Sequence, residues 1–205
     1  TLPNGKPVIL KADGTVEVIG ISAGLAHGAS SVFETPGPAG WTSVAMLTST
    51  KAIVVYIDAA GSGYTTAVVL EISGSTITAG TPFQYDGDSD NVDVVMLTST
   101  KVLSTWRSGS LSNQGLATVL LISGTTISKG SDVVFETNYL QDSSLARLSS
   151  TQAIVCYRDH GGTNYGTSCI ISVSGSTTVT VGTPAVFESA STYDVPQSMI
   201  EDILE

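Results

Sequence analysis

Three observations predict an all-β fold made of four-stranded antiparallel units in an array. First, "AMLTSTKAI" at 45–53 returns as "VMLTSTKVL" at 95–103 and as "RLSSTQAI" at 147–154. Second, landmarks recur every 50 to 52 residues: Leu47, Leu97 and Leu148; Tyr56, Trp106 and Tyr157; Ser73-Gly74, Ser123-Gly124 and Ser174-Gly175; and Phe33, Phe83, Phe135 and Phe187. Third, the apolar runs inside each interval are short, rich in β-branched residues and bounded by turn formers, and helical periodicity is absent until the last few residues. A fixed period near this size marks a repeat architecture and suits the blades of a β-propeller. The predicted fold class is therefore an all-β, β-propeller-like array.

In the first full unit, "TSVAML" (42–47) is strand A and "AIVVYI" (52–57) strand B, joined by the turn "TSTK". "TAVVLEI" (66–72) is strand C and "STITAGTPFQY" (75–85) strand D, joined by "SG". Strands B and C are almost wholly apolar rather than alternating, which predicts sheets packed on both of their faces. The chain divides as one repeat domain, 1–205, with a partial blade at 1–40 and units at about 41–90, 91–142 and 143–192. "PVILKADGTVEVIG" (7–20) aligns with "AVVLEISGSTITAG" (67–80), so the sequence opens on strands C and D of a partial blade. Residues 193–205 fit either a divergent strand A, the preferred expectation, or a short helix. The helix would be capped by Asp194, with Pro196 early and Met199, Ile200, Ile203 and Leu204 on one face. Either the chain belongs to a longer protein or another copy supplies the missing strands.

Aligning the three B–C hairpins predicts the cross-strand pairs Val55–Val68, Thr105–Thr118 and Cys156–Cys169. The last pair could form a disulfide, which would point to an oxidising compartment, or remain two small buried thiols.

Eighteen acidic residues against eight basic ones give a net charge of −10. That balance argues against nucleic acid, whose affinity rests on Lys and Arg at phosphates, and against anionic lipid. No run reaches the roughly 18 apolar residues of a membrane span, so membrane insertion is not expected. Thr1 in place of Met, with no basic and apolar leader behind it, fits a processed or excerpted chain without a targeting signal. Charged residues make up only 13% of the chain, and its hydroxyl-rich surface is of a kind common in extracellular β-proteins.

Candidate chemistry falls in the loops. "DGDSDNVD" (86–93) offers Asp86, Asp88, Asp90 and Asp93 as oxygen ligands for Ca²⁺. An EF-hand would need Gly and Glu where Val92 and Leu97 stand, and a solvated acidic turn is the alternative. The B–C loops "DAAGSGY", "RSGSLSNQG" and "RDHGGTNYG" vary most between copies, and Asp58, Tyr64, Asp159, His160 and Tyr165 could stack on and hydrogen-bond a sugar. Trp41, Tyr139 and Tyr193 in the D–A loops form a second aromatic set, for recognition or for capping blade ends. Tyr56, Trp106 and Tyr157 repeat on a strand and are assigned to packing. No nucleophile elbow, P-loop or metal-ligand spacing appears, so no catalytic residue and no cofactor beyond the Ca²⁺ option is expected.

The stretches "LTSTKAIVVYIDAAGSGYTTAVVLEISGSTITAGTPFQY" and "LSSTQAIVCYRDHGGTNYGTSCIISVSGSTTVTVGTPAVFES" resemble repeats of bacteriophage tail-fibre and appendage proteins and of large microbial surface proteins. "LPNGKPVILKADGTVEVI" is similar to their lead-in. The aromatic after strand B and the "YGT" opening strand C stand best in the third unit, at Tyr157 and Tyr165-Gly166-Thr167, and erode to "QGL" at 114–116 in the second. The resemblance implies a β-propeller-like domain for recognition or display and transfers no catalytic residue; with the variable loops and the acidic, hydroxyl-rich surface it leads to the expectation of a non-enzymatic extracellular or virion-surface module that binds a cell-surface glycan or receptor. A purely structural appendage that joins other copies of itself by strand completion, and a propeller-type glycosidase, are the alternatives.

Overall fold

The computed structural model describes residues 8–10, 16–18, 30, 32–33, 37–61 and 63–192. Tyr193, Asp194 and the rest of the 193–205 segment, which fits a strand or a short helix by sequence, lie outside them. The described chain is almost entirely β. A two-stranded sheet pairs β1 (Val8–Leu10) with β2 (Val16–Val18), and three larger antiparallel sheets follow.

The first sheet runs β3 (Ala39–Thr48), β4 (Lys51–Asp58), β5 (Tyr64–Ser73) and β6 (Thr76–Ala79), with β7 (Phe83–Asp86) also on β5. The second repeats this as β8 (Ser89–Thr98), β9 (Lys101–Ser108), β10 (Gln114–Ser123), β11 (Thr126–Lys129) and β12 (Val133–Glu136). The third is β13 (Leu140–Arg147), β14 (Gln152–Asp159), β15 (Tyr165–Ser174), β16 (Thr178–Val181) and β17 (Ala185–Ser191). Strands A, B and C fall where the sequence placed them.

Strand D is different: it is two short strands rather than one. β6 pairs with Leu70–Ser73 and β7 with Thr65–Ala67, and a Gly-Thr-Pro break separates them. Pro82 cannot donate to a ladder, and Gly80 turns its N–H back to the Val69 carbonyl at 2.8 Å. Gly80 has a second reason to be glycine. A Cβ there would sit 2.9 Å from Thr125 Cβ in the next sheet, and one on its counterpart Gly130 would sit 2.7 Å from Thr177 Cβ. The break is where neighbouring sheets touch through backbone.

The B–C register corrects the predicted pairs by one residue. Val54 faces Val68 and Val55 faces Ala67; Thr105 faces Ala117 and Thr118 faces Ser104; Cys156 faces Ser168 and Cys169 faces Val155. Side chains alternate along a strand, so a shift of one puts each predicted pair on opposite faces. Cys156 therefore belongs to one apolar cluster and Cys169 to another. Both thiols are free and buried. The disulfide expectation fails on geometry. Burial pushes the Cys156 thiol up to about 11 and, with the charge of Cys156 and Glu136 added, Cys169 to about 12. Neither thiol is expected to react with an aromatic disulfide reagent at pH 8 until denaturant is added, and reductant should leave the unfolding midpoint unchanged. A fast-reacting native thiol would contradict the placement.

Each sheet has a front, facing the next sheet, and a back, facing the one before. Ile53, Val55, Ala67 and Val69 on the first front pack on Val94, Trp106 and Leu120 on the second back. Leu97, Leu103, Ala117 and Val119 on the second front pack on Leu145, Val155, Tyr157 and Cys169 on the third back. This two-sided packing is the reason strands B and C lack alternation. The aromatic at the end of strand B fills each seam. Tyr56 meets Phe33 at 5.2 Å between ring centroids, Trp106 meets Tyr85 at 5.3 Å, and Tyr157 meets Phe135 at 5.5 Å, all edge-on. All three are fully buried, in line with a packing role.

The "TSTK" turn is itself an inter-sheet latch. Lys51 Nζ donates to the Gly124 carbonyl at 2.9 Å, and Lys101 Nζ to the Gly175 carbonyl at 2.7 Å. Each lysine thus reaches the "SG" turn of the next sheet. In the third copy Gln152 stands in the place of the lysine and donates to Ser172 Oγ within its own sheet.

Candidate functional site

Antiparallel order puts the B–C loops and the D–A connections at one end of every sheet, and the "TSTK" and "SG" turns at the other. All the loop candidates therefore share an end. Each B–C loop is five residues closed the same way: Gly63 N–H donates to the Asp58 carbonyl, Asn113 to Ser108 and Asn164 to Asp159, at 3.1, 2.9 and 2.7 Å. The closing residue is left-handed each time, with φ of 78°, 66° and 60°, and only Gly and Asn occupy it. The carbonyl of that residue then accepts the N–H of the residue that leaves strand D: Ser89 on Gly63, Leu140 on Asn113, Thr192 on Asn164, the first two opening β8 and β13. One backbone frame thus carries three unlike sets of side chains.

Asp58 and Asp159 serve the frame. Asp58 is 9% exposed and accepts from the Ala60 N–H at 3.0 Å and Gln84 Nε2 at 3.1 Å. Asp159 accepts from the Gly162 N–H at 2.9 Å. Tyr64 is 40% exposed and lies over the turn at Gly87, beside a depression of about 390 Å³ that Gln84, Tyr85 and Asp86 also line. In the third unit, His160 and Tyr139 meet edge-on at 5.1 Å, and the backbone N–H of His160 donates to the Tyr139 carbonyl. Arg107 lies 4.5 Å over the other partner of this cluster, the Tyr139 ring, and His160 Nδ1 is 2.7 Å from Asn164 Oδ1. Tyr165 is half-buried at the start of β15.

Trp41 stands apart, 60% exposed on a β-bulge that recurs in each strand A. The equivalent residues are Asn91 and Asp142, and all three are left-handed, with φ of 41°, 51° and 49°. Asn and Asp tolerate that region, whereas a bulky aromatic is strained there. Trp41→Asn is expected to raise stability by about 1 kcal/mol, seen as a higher urea midpoint; an unchanged or lower midpoint would contradict the strain.

The 86–93 carboxylates are engaged by separate partners. Asp86 accepts from the Gly87 N–H, Ser89 Oγ and Trp106 Nε1. Asp90 pairs with Arg107, and Asp88 is left-handed with its carbonyl accepting from Gly109. Asp93 is turned into the array. Its Oδ1 accepts from Ser43 Oγ at 2.6 Å and from the Val94 N–H at 2.8 Å, and its Oδ2 from the Leu145 N–H at 2.7 Å. One carboxylate thus joins the first strands of all three sheets. Burial raises its pKa above the usual value, against the lowering effect of those donors. Among the described residues no three His, Cys, Asp or Glu side chains gather as a metal-ligand set. The alternate spacing of Asp86, Asp88 and Asp90 resembles a loop chelate, but the bulge at Asn91 turns Asp93 away into the array.

No family model, curated protein or solved structure matches the chain. The inter-sheet roles of Asp93, Arg107 and Arg158 escaped sequence reasoning. Arg107 Nη1 donates to the Leu140 carbonyl at 3.1 Å, where β13 opens, and Arg158 Nη1 donates to the Thr192 carbonyl at 3.3 Å, just past β17. Their repetition one unit apart was the available signal.

Proposed function

We propose that this chain is a non-enzymatic recognition module of β-propeller-like architecture that binds glycan through the loops at one end. The observation that carries the proposal is the repeated loop frame: identical backbone closure in three sheets, bearing different aromatic and polar side chains on one side of the array. Tyr64 beside its depression offers a stacking face with amide and carboxylate groups next to it, which is what a sugar ring needs. The propeller reading draws support from the stacking of sheets through a repeated seam, with the first strands β3, β8 and β13 as neighbours. The placement is extracellular or on a virion surface, in keeping with the acidic, hydroxyl-rich composition.

A glycan array probed with the folded protein should show binding above background that Tyr64→Ala or Tyr139→Ala abolishes. Absence of binding on a broad array would overturn this reading. A structural role in assembly has its own support in the exposed last strand of the third sheet, β17, where Val186 is 55% exposed.

A further inference from the structure

Two seams in this chain share one design. At the end of strand D in the first sheet, Tyr85 and Asp86 receive Trp106: ring edge against ring, with the indole N–H donating to Asp86 Oδ2. In the second sheet Phe135 and Glu136 receive Tyr157, whose hydroxyl is held above its usual pKa by burial and then by the Glu136 charge. An aromatic ring followed by a carboxylate, on strand D, thus takes the aromatic side chain from strand B of the next sheet.

The third sheet carries the same pair, Phe187 and Glu188, on β17. Glu188 is fixed like its counterpart: its Oε1 accepts from the Ala190 N–H at 2.8 Å, as Glu136 Oε1 accepts from Asn138 at 2.7 Å. Glu136 is buried under the next sheet, whereas Glu188 is exposed and Phe187 only half-buried. Among the described residues no aromatic side chain sits against them. The entry to a following sheet is nevertheless prepared, because Arg158 and Asn164 already hold Thr192 where Leu140 and Ser89 stand. Trp106 lies 17 residues after Ser89, and Tyr157 lies 17 after Leu140.

We infer that Phe187 and Glu188 form a socket for a β strand bearing Tyr or Trp, presented by a sheet of this same repeat type. The seam between the sheets continues into it without a change of chemistry. Because Gln152 replaces the lysine latch, the incoming sheet is held at the loop end alone. The inference is independent of glycan binding.

The test uses the full chain and a labelled peptide of residues 98–108, "TSTKVLSTWRS", which is the strand that fills the first such socket. Saturable binding is expected, weakened at least tenfold by Trp106→Ala in the peptide and by Phe187→Ala in the protein, and severalfold by Glu188→Ala. No saturable binding, or binding equal to that of a scrambled peptide, would overturn the inference. Should Phe187→Ala not fold, the exposed Glu188→Ala decides: unchanged affinity counts against the socket. Glycan binding should be unaffected by Glu188→Ala, which separates failure of one proposal from failure of the other.

Discussion

Trp106→Ala is expected to leave the protein largely unfolded at room temperature. The indole is fully buried between the first and second sheets, edge-on to Tyr85 and bonded to Asp86. Removing a large core aromatic costs about 3–5 kcal/mol. Leaving the Asp86 carboxylate without its indole donor adds about 1–3 kcal/mol. Against a total stability of roughly 5–15 kcal/mol, that is most of the reserve for a domain of this size. Trp106→Tyr should cost far less, because Tyr56 and Tyr157 fill the same position in the neighbouring sheets. Urea unfolding followed by circular dichroism measures both. A loss below about 1 kcal/mol for the alanine variant would mean that the seam is not a principal source of stability.

Asp93→Ala carries the second largest expectation, a loss of about 3 kcal/mol from a buried carboxylate whose donors are left unsatisfied. Ser43 Oγ and the Leu145 N–H belong to different sheets, so the variant loosens both seams at once. Asp93→Asn keeps an acceptor oxygen and should cost less. The pair of variants also separates bonding from charge. The folded pKa of Asp93 is raised above 3.8, chiefly by burial, so the folded state holds this proton more tightly than the unfolded chain does. Stability from that source is fully present below the unfolded value and lost as the pH rises through the folded value. The stability difference between wild type and Asp93→Asn should accordingly shift in favour of wild type as the pH is lowered through that window. A difference independent of pH would show that ionisation of Asp93 is not linked to folding.

Much of the fold was legible because its causes are local. Turn formers such as "TSTK" and "SG", and runs such as "AIVVYI", act over a few residues, and their recurrence dates each strand to a place in a unit. The packing role of Tyr56, Trp106 and Tyr157 was likewise visible, since a side chain repeated at one strand position serves the strand. The broken strand D was less legible. Gly80 and Gly130 look like ordinary turn residues until Thr125 and Thr177 of the next sheet are found beside them. Of the candidate site, the shared end of the loops followed from strand order, but the roles did not. Asp58 and Asp159, candidate sugar ligands in the sequence, accept backbone N–H groups of their own loops, a local role that spacing alone does not reveal.

The sequence by itself determined the repeat, the strand order and the end at which the variable loops gather. Tertiary structure decided register and partnership. A five-residue loop closed at a left-handed Gly or Asn shifts the B–C pairing by one residue, and that shift sends Cys156 and Cys169 to opposite faces. Asp93 is a staple between sheets because its partners, Ser43 and Leu145, lie 50 and 52 residues away. Alternation along a strand is a property of the chain. Which residue stands opposite, and what lies across a seam, depends on loop geometry and on sheets that meet only once the chain has folded.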